Sequence, residues 1–304
     1  MMDYDGATGW LVGEPHRGMA AMFTMMNNAR LGVGMQGIGV AEAAFQQALA
    51  YARERRQGAT PQGGAIIGHA DIRRMLAAMR AEIFAARAIA LSCAVAIDMA
   101  DATEQADWAA RAAFLTPIAK AHGTDTGVEV ASAGVQVHGG MGFVEQTGAA
   151  QYLRDVRVTP IYEGTNGIQA LDLVGRKLAD GGEAAWRLLE EIEQGAEAAR
   201  ALLPEPAGDV WAAAETLRET TEWMLTQDQT DRFAGAVPFL RAWARVLGGH
   251  VHLAAARAEG GAGPRTALAR VFVARLLPEH VALLAQARAG AAGLYALSDD
   301  DLAA

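Results

Sequence analysis

Apolar residues recur every three to four positions from Met19 to about Gln57, the period of one helix face, and predict a long helix there. A second runs from His69 or Ala70 to about Ala100. Met75, Leu76, Met79 and Ile83 turn toward a core, and Arg73, Arg74 and Arg80 lie on another side. A third spans about 104–121, where Pro117 is expected to kink it or mark its end, because proline lacks the amide donor. Thr126–Val137 reads as another helix, ending in the turn His138-Gly139-Gly140-Met141-Gly142-Phe143. Helix resumes near Ala149, through Tyr152, Leu153 and Val156, until Pro160. Behind Thr165, a good N-cap, Ile168, Leu171, Val174 and Leu178 again keep helical spacing. Asp180-Gly181-Gly182 is the best boundary in the chain. Beyond it lie amphipathic segments at about 183–202, 209–226, 235–258 and 265–290, separated by Pro204/Pro206, Gly235 and the Gly260–Pro264 run. Short loops between such helices imply antiparallel neighbours in a small bundle. The exception is Trp10-Leu11-Val12, a short strand-like run between Gly9 and Gly13. The pattern therefore predicts an all-α fold, with a frayed tail after the last helix.

Composition agrees with that pattern. Hydrophobic residues are 52% of the 304, aromatics 6%, and alanine is very frequent, which favours helix over sheet. A net charge of −9 makes the chain a poor nucleic-acid binder, since phosphates are repelled. No stretch reads as a membrane span: the apolar run around Cys93 is bounded by Arg87 and Asp98. The acidic N-terminus has no apolar signal-peptide core, and the single cysteine, Cys93, reads as a small buried hydrophobe. A reducing, cytoplasmic setting fits.

The chemistry-bearing candidates are few. No metal constellation is expected; His250 and His252 are two apart and point to different faces of a helix. Ser132 has no nucleophile elbow around it, and no phosphate-binding loop with its lysine exists. Glycines 32, 34, 37 and 39 within the first helix mark either tight helix packing or the approach of a ligand. Arg55-Arg56 and Arg73-Arg74 are solvated faces or candidate phosphate holders. Glu163 stands out: a carboxylate on a short loop between Pro160 and the Thr165 N-cap, beside Gly164.

Four segments carry a family likeness by order and spacing: MNNARLGVG (26–34), YARERRQG (51–58), GVQVHGGMGF (134–143) and YLRDVRVTPIYEGTNGIQ (152–169). Together they resemble the C-terminal helical domain of flavin-dependent acyl-CoA dehydrogenases, over roughly residues 9–180. Residues 183–295 resemble the helical extension of the 3-methylmercaptopropionyl-CoA dehydrogenase-like subgroup. The resemblance implies three parts: 1–18 as the last strand and loop of a central β-domain, 19–180 as the helical domain, and 183–295 as the extension. It implies FAD as cofactor and an acyl-CoA as substrate. Glu163 matches the base that removes the α-proton, while the β-hydrogen leaves as hydride to flavin N5 and a trans-2-enoyl-CoA forms.

Tyr162 and Gly164 match positions flanking the thioester, and Arg30, with Asn27 beside it, matches a CoA contact. Thr165 and Gly167 match contacts to the chain's own flavin. Arg55, Gln136, His138, Gly139 and Gly140 match contacts to the FAD of a neighbouring subunit, which implies a homodimer or homotetramer. The resemblance leaves two acceptors open, an electron-transferring flavoprotein or, as in the related acyl-CoA oxidases, oxygen. Two positions depart from the family pattern: Gln57-Gly58 follows Arg56 directly, and Ala70 replaces a glutamine. The N-terminal helical domain and most of the β-domain are not recognised in the chain. The rival expectation is therefore a non-catalytic helical oligomerisation module, or a truncated remnant inactive without a partner supplying those domains.

Overall fold

The computed structural model describes residues 3–61 and 63–303, without the side chains at 20, 23, 24 and 27, so Asn27 as a substrate contact lies outside the described side chains. Among the described residues there is no strand, only an isolated antiparallel bridge between Arg56 and Ala65. The all-α expectation holds. Helix α1 (Gly18–Glu54), α2 (Ala70–Thr103) and α3 (Ala106–His138) form a long-helix frame, followed by α4 (Gly140–Phe143), α5 (Ala149–Val156) and α6 (Asn166–Asp172). A π-helical turn, Leu173–Lys177, continues α6. The second half adds α7 (Glu183–Ala199), α8 (Pro204–Thr226), α9 (Gln229–Ala234), α10 (Ala236–Ala258), α11 (Pro264–Arg275) and α12 (Glu279–Ala287), then short turns α13 (Ala292–Tyr295) and α14 (Asp299–Ala303).

The structure corrects several expectations. Trp10, Leu11 and Val12 are exposed coil, not a strand. A strand needs an edge to pair with, and the described chain offers none. Pro117 neither ends nor breaks α3, which is one helix where two were expected. Ala113 and Pro117, whose ring removes one hydrogen bond of the turn, line an open cavity of about 390 Å³. Burial of Phe114, Leu115, Ile118 and Ala121 on the same helix outweighs the local cost. In the second half, α8 begins at Pro204 rather than near 209, because proline suits the first helical turn. The segment expected at 265–290 is split at Pro278 into α11 and α12. Helix α2 also qualifies by length and composition as a membrane span, with an 18-residue window of mean hydropathy 1.8. That corrects the reading of the Cys93 run. In this fold α2 packs against α1, α3, α10 and α11, with 39% of that window buried and Glu82 among the buried residues of the helix.

Glycines 34 and 37 resolve to helix packing. A Cβ on Gly34 would lie 2.8 Å from the Ala119 carbonyl oxygen, and one on Gly37 would overlap the Gly123 carbonyl. From the other side, Gly123 and Gly127 present bare backbone to Gly34 and Gly37, so α1 and α3 cross at backbone contact. Gly32 and Gly39 face open space. Gly37→Ala is therefore expected to cost about 1–3 kcal/mol, whereas Gly39→Ala in the same helix gains about 0.5–1 kcal/mol. Denaturant unfolding of the two variants reads the opposite signs.

One hydrophobic core crosses the Asp180–Gly182 turn. It runs from Ile38, Ile89 and Phe114 through Leu173 and Leu188 to Trp243 and Phe272. At the seam, buried Arg245 of α10 pairs with Glu82 of α2 and, at 2.6 Å, with Glu279 of α12. Arg241 bridges Glu129 of α3 and Glu279. Burial and the neighbouring Arg245 and Arg241 hold His122 neutral, its pKa pushed down to about 3, so its 4.0 Å approach to Glu82 is no ion pair.

Candidate functional site

The Glu163 loop has an unusual backbone. Glu163 has φ +54° and Gly164 φ +80°, two consecutive left-handed residues. For a glutamate that conformation is sterically costly, and it persists only where the surroundings over-determine it. The surroundings do so by drawing the loop carbonyls inward. Lys120, fully buried in the middle of α3, donates to the Gly164 carbonyl at 2.9 Å. Gln169, also fully buried, reaches back from α6 to the carbonyls of Glu163 (3.4 Å) and Gly164 (3.3 Å). Thr165 caps α6 as expected, its hydroxyl accepting from the Ile168 amide at 3.2 Å. A Cβ on Gly164 would sit 2.8 Å from Gln169 Nε2, so position 164 needs glycine for space as well as for φ. Gly167, in the first turn of α6, meets only Thr165 Oγ1, at 3.7 Å.

Around the loop the surface is apolar and open. Met35, Val158, Ile161, Tyr162 and Ile168 are all exposed. Tyr162 donates its hydroxyl to Gln36 of α1, which ties the loop to the first helix. Among the described residues no hydrogen bond or ion pair reaches the Glu163 carboxylate, and the residue is half-buried. Arg30 is buried and pairs with Asp172 of α6 at 3.0 Å, while its Nε has no partner. It lines the cavity beside Pro117 with Asn28, Asp101 and Lys177.

The remaining expected residues form a second cluster. His138 ends α3 buried, its Nδ1 2.7 Å from the Gly134 carbonyl and its ring stacked on Tyr51 of α1 at 4.4 Å. Tyr51 precedes the exposed Arg55, the C-cap of α1, so that end of α1 meets the turn after α3. Gln136, Gly139 and Gly140 are exposed there, and nothing lies within 4 Å of a Cβ at either glycine. Along α3 the eighteen residues from Lys120 to His138 separate the two clusters by roughly 27 Å. Glu163, Tyr162, Gly164, Thr165, Gly167 and Arg30 thus gather beside the middle of α3, and Arg55, Gln136, His138, Gly139 and Gly140 at its C-terminal end. Lys120, Gln169, Asp172 and Tyr51 escape a sequence reading. The one available signal is that the chain has only two lysines, Lys120 and Lys177, against many arginines, and the first lies in an apolar helix stretch. No group of three His, Cys, Asp or Glu residues able to hold a metal occurs among the described residues.

The family described as "Acyl-CoA dehydrogenase, C-terminal domain" matches residues 16–179, more than half of the chain. The chain belongs to the acyl-CoA dehydrogenase family. A second description, "Acetyl-CoA dehydrogenase C-terminal like", matches residues 188–298 of this acyl-CoA dehydrogenase family member. The 3-methylmercaptopropionyl-CoA dehydrogenase of Ruegeria pomeroyi is 45% identical over 259 residues, covering 79% of this chain and 43% of that protein. The broad-specificity linear acyl-CoA dehydrogenase FadE5 of Mycobacterium tuberculosis is 33% identical over 262 residues, 77% of this chain and 42% of that protein. The chain thus spans less than half the length of these relatives. In fold it is similar to Caenorhabditis elegans ACDH-11, solved with C11-CoA. The TM-score is 0.74 at 22% identity, covering 86% of this chain and 44% of the other. A Bacillus anthracis acyl-CoA dehydrogenase solved with FAD gives a TM-score of 0.67 at 20% identity, covering 95% of this chain and 52% of the other.

Proposed function

We propose that the chain is the C-terminal, base-bearing portion of an FAD-dependent acyl-CoA dehydrogenase that converts an acyl-CoA thioester to its trans-2-enoyl-CoA. The observation that supports this most is the Glu163 loop. A carboxylate without a described partner sits in a strained backbone on an open apolar surface, and buried donors behind it tie down the loop carbonyls. In this reading Glu163 takes the α-proton of the thioester. Covering the apolar surface removes water from around the carboxylate and raises its proton affinity toward what an α-carbon requires. Gly164 keeps space clear beside the base, and Tyr162, held by Gln36, walls the same side.

The residues fit an FAD in two places. Exposed Ile161 and Ile168, with the cap at Thr165 and the bare Gly167, suit a flat apolar ring system. Arg55 and the side-chain-free Gly139-Gly140 turn suit a diphosphate. Bound FAD supplies the two-electron acceptor that takes the β-hydride. Because the two clusters stand roughly 27 Å apart along α3, each serves a different FAD in this reading, and the active unit is at least a dimer. Asn27 and Arg30 remain the proposed CoA-side residues, with Arg30 acting from its buried pair with Asp172.

The test joins this chain to the upstream portion of its 45%-identical relative and adds FAD. Retained flavin whose visible band is bleached anaerobically by an acyl-CoA is expected. Retained flavin that no acyl-CoA bleaches would overturn the reading.

A further inference from the structure

Lys120 is fully buried, yet it lies on α3, forty-three positions before the residue it serves. A buried ammonium costs several kcal/mol unless it is paired and hydrogen-bonded. Its partners are the Gly164 carbonyl and Asn166 Oδ1, both at 2.9 Å. Asn166 in turn donates through Nδ2 to Asp125 Oδ1 at 2.7 Å. A neutral amide therefore stands between the ammonium and its carboxylate, and the lysine is left to hold a backbone oxygen. That oxygen belongs to the residue after Glu163.

We propose that Lys120 is a positioning residue for Glu163, fixing the left-handed Glu163-Gly164 backbone from inside the bundle and placing a positive charge behind the carboxylate. The inference rests on the reading of Glu163 as the base, but the geometry does not depend on it. Gln169 draws the Glu163 carbonyl inward and shares the Gly164 carbonyl with Lys120. Both oxygens are thus held from inside the bundle, and Glu163 itself is half-buried. No ion pair joins the ammonium to the Glu163 carboxylate among the described residues, but the carboxylate's charge favours the protonated lysine, the smallest of four influences on it. Desolvation pushes the Lys120 ammonium down to about 8. Asp125 and Glu163 oppose that shift, and Arg30 on α1 adds to it.

The two-lysine composition gives a direct test that needs no turnover. In the full chain labelled with [ε-¹³C]lysine, two signals appear, one from Lys120 and one from Lys177 as internal reference. Glu163→Gln removes the negative charge and should lower the proton affinity of Lys120 by about two- to tenfold, with the reference signal unmoved. Lys120→Met, an apolar substitute of similar length, should speed amide hydrogen exchange in residues 161–169 at least about tenfold over the amides of α10. An unmoved Lys120 signal in Glu163→Gln would overturn the inference. So would Lys120→Met exchange that rises equally everywhere, the mark of a purely structural lysine. If Lys120→Met does not fold, the Glu163→Gln titration decides alone. Failure of acyl-CoA to bleach the flavin would remove the function of the base and leave these two readouts to score the lysine.

Discussion

Glu163→Gln is expected to lower acyl-CoA dehydrogenation by at least about 10³-fold, some 4 kcal/mol of transition-state stabilisation, while leaving the fold and FAD retention intact. The magnitude follows from the role: glutamine occupies the same volume and keeps hydrogen-bonding capacity but cannot accept a proton from carbon. The lack of a structural effect follows from geometry. No described hydrogen bond or ion pair reaches the carboxylate, and the loop is held through its backbone by Lys120 and Gln169. The substitution changes neither tether nor φ, so unfolding free energy should move by no more than about 1.5 kcal/mol, the loss of the charge felt by Lys120. Turnover is measured with the upstream portion of the relative supplied, beside a denaturation curve of this chain. Turnover by the variant close to that of the parent would remove Glu163 from the role of base.

Arg245→Met should be the most damaging single change to stability, at about 3–5 kcal/mol. Arg245 and Glu82 are 7% and 6% exposed, and the arginine also holds Glu279. Glu82 already carries a proton affinity raised by burial, with Arg245 the main opposing influence. Removing the guanidinium leaves a buried carboxylate beside neutral His122 and the like-charged Glu279, with Arg241 as the remaining cation acting on it, and Glu82 Oε2 has no hydrogen-bond partner even in the parent. Taking out both charges, as Glu82→Met with Arg245→Met, should recover most of the loss, because the cost lies in the uncompensated charge. A double-mutant cycle by denaturant unfolding reads this. A loss under about 1 kcal/mol for Arg245→Met would mean that the pair is hydrated and adds little to the seam.

That seam explains why the Asp180-Gly181-Gly182 turn reads as a boundary in the sequence. Paired glycines and a change of pattern mark a chain reversal, and local composition carries no information on what packs across it. The helices on either side share one core, and Glu82, Glu129 and His122 of the first half meet Arg241, Arg245 and Glu279 of the second. The two family descriptions also part near this turn, at residues 179 and 188.

Local rules read most of the helices because helix periodicity, caps and glycine turns are written over a few residues. Thr165 as N-cap, Gly164 beside the loop carboxylate and the turn at 138–140 belong to that class. The same rules misplaced a helix end near Pro117, where a local penalty of about 3 kcal/mol was outweighed by burial along α3. They failed again at Trp10–Val12, where strand-like residues lack a described edge to pair with. At the glycines of α1 the sequence posed a choice that only the partner helix could decide. Gly34 and Gly37 meet Gly123 and Gly127, whereas Gly32 and Gly39 meet nothing. The sequence by itself determined the all-α class, through short-range helical spacing, and the family, through the resemblance of four segments spread over residues 26–169, and it put Glu163 on its loop. Only the tertiary structure decided what holds that carboxylate. Lys120 reaches Gly164, and Arg30 reaches Asp172, across forty-four and 142 positions of chain. Contacts at such separations depend on how the helices cross, and no local pattern records that.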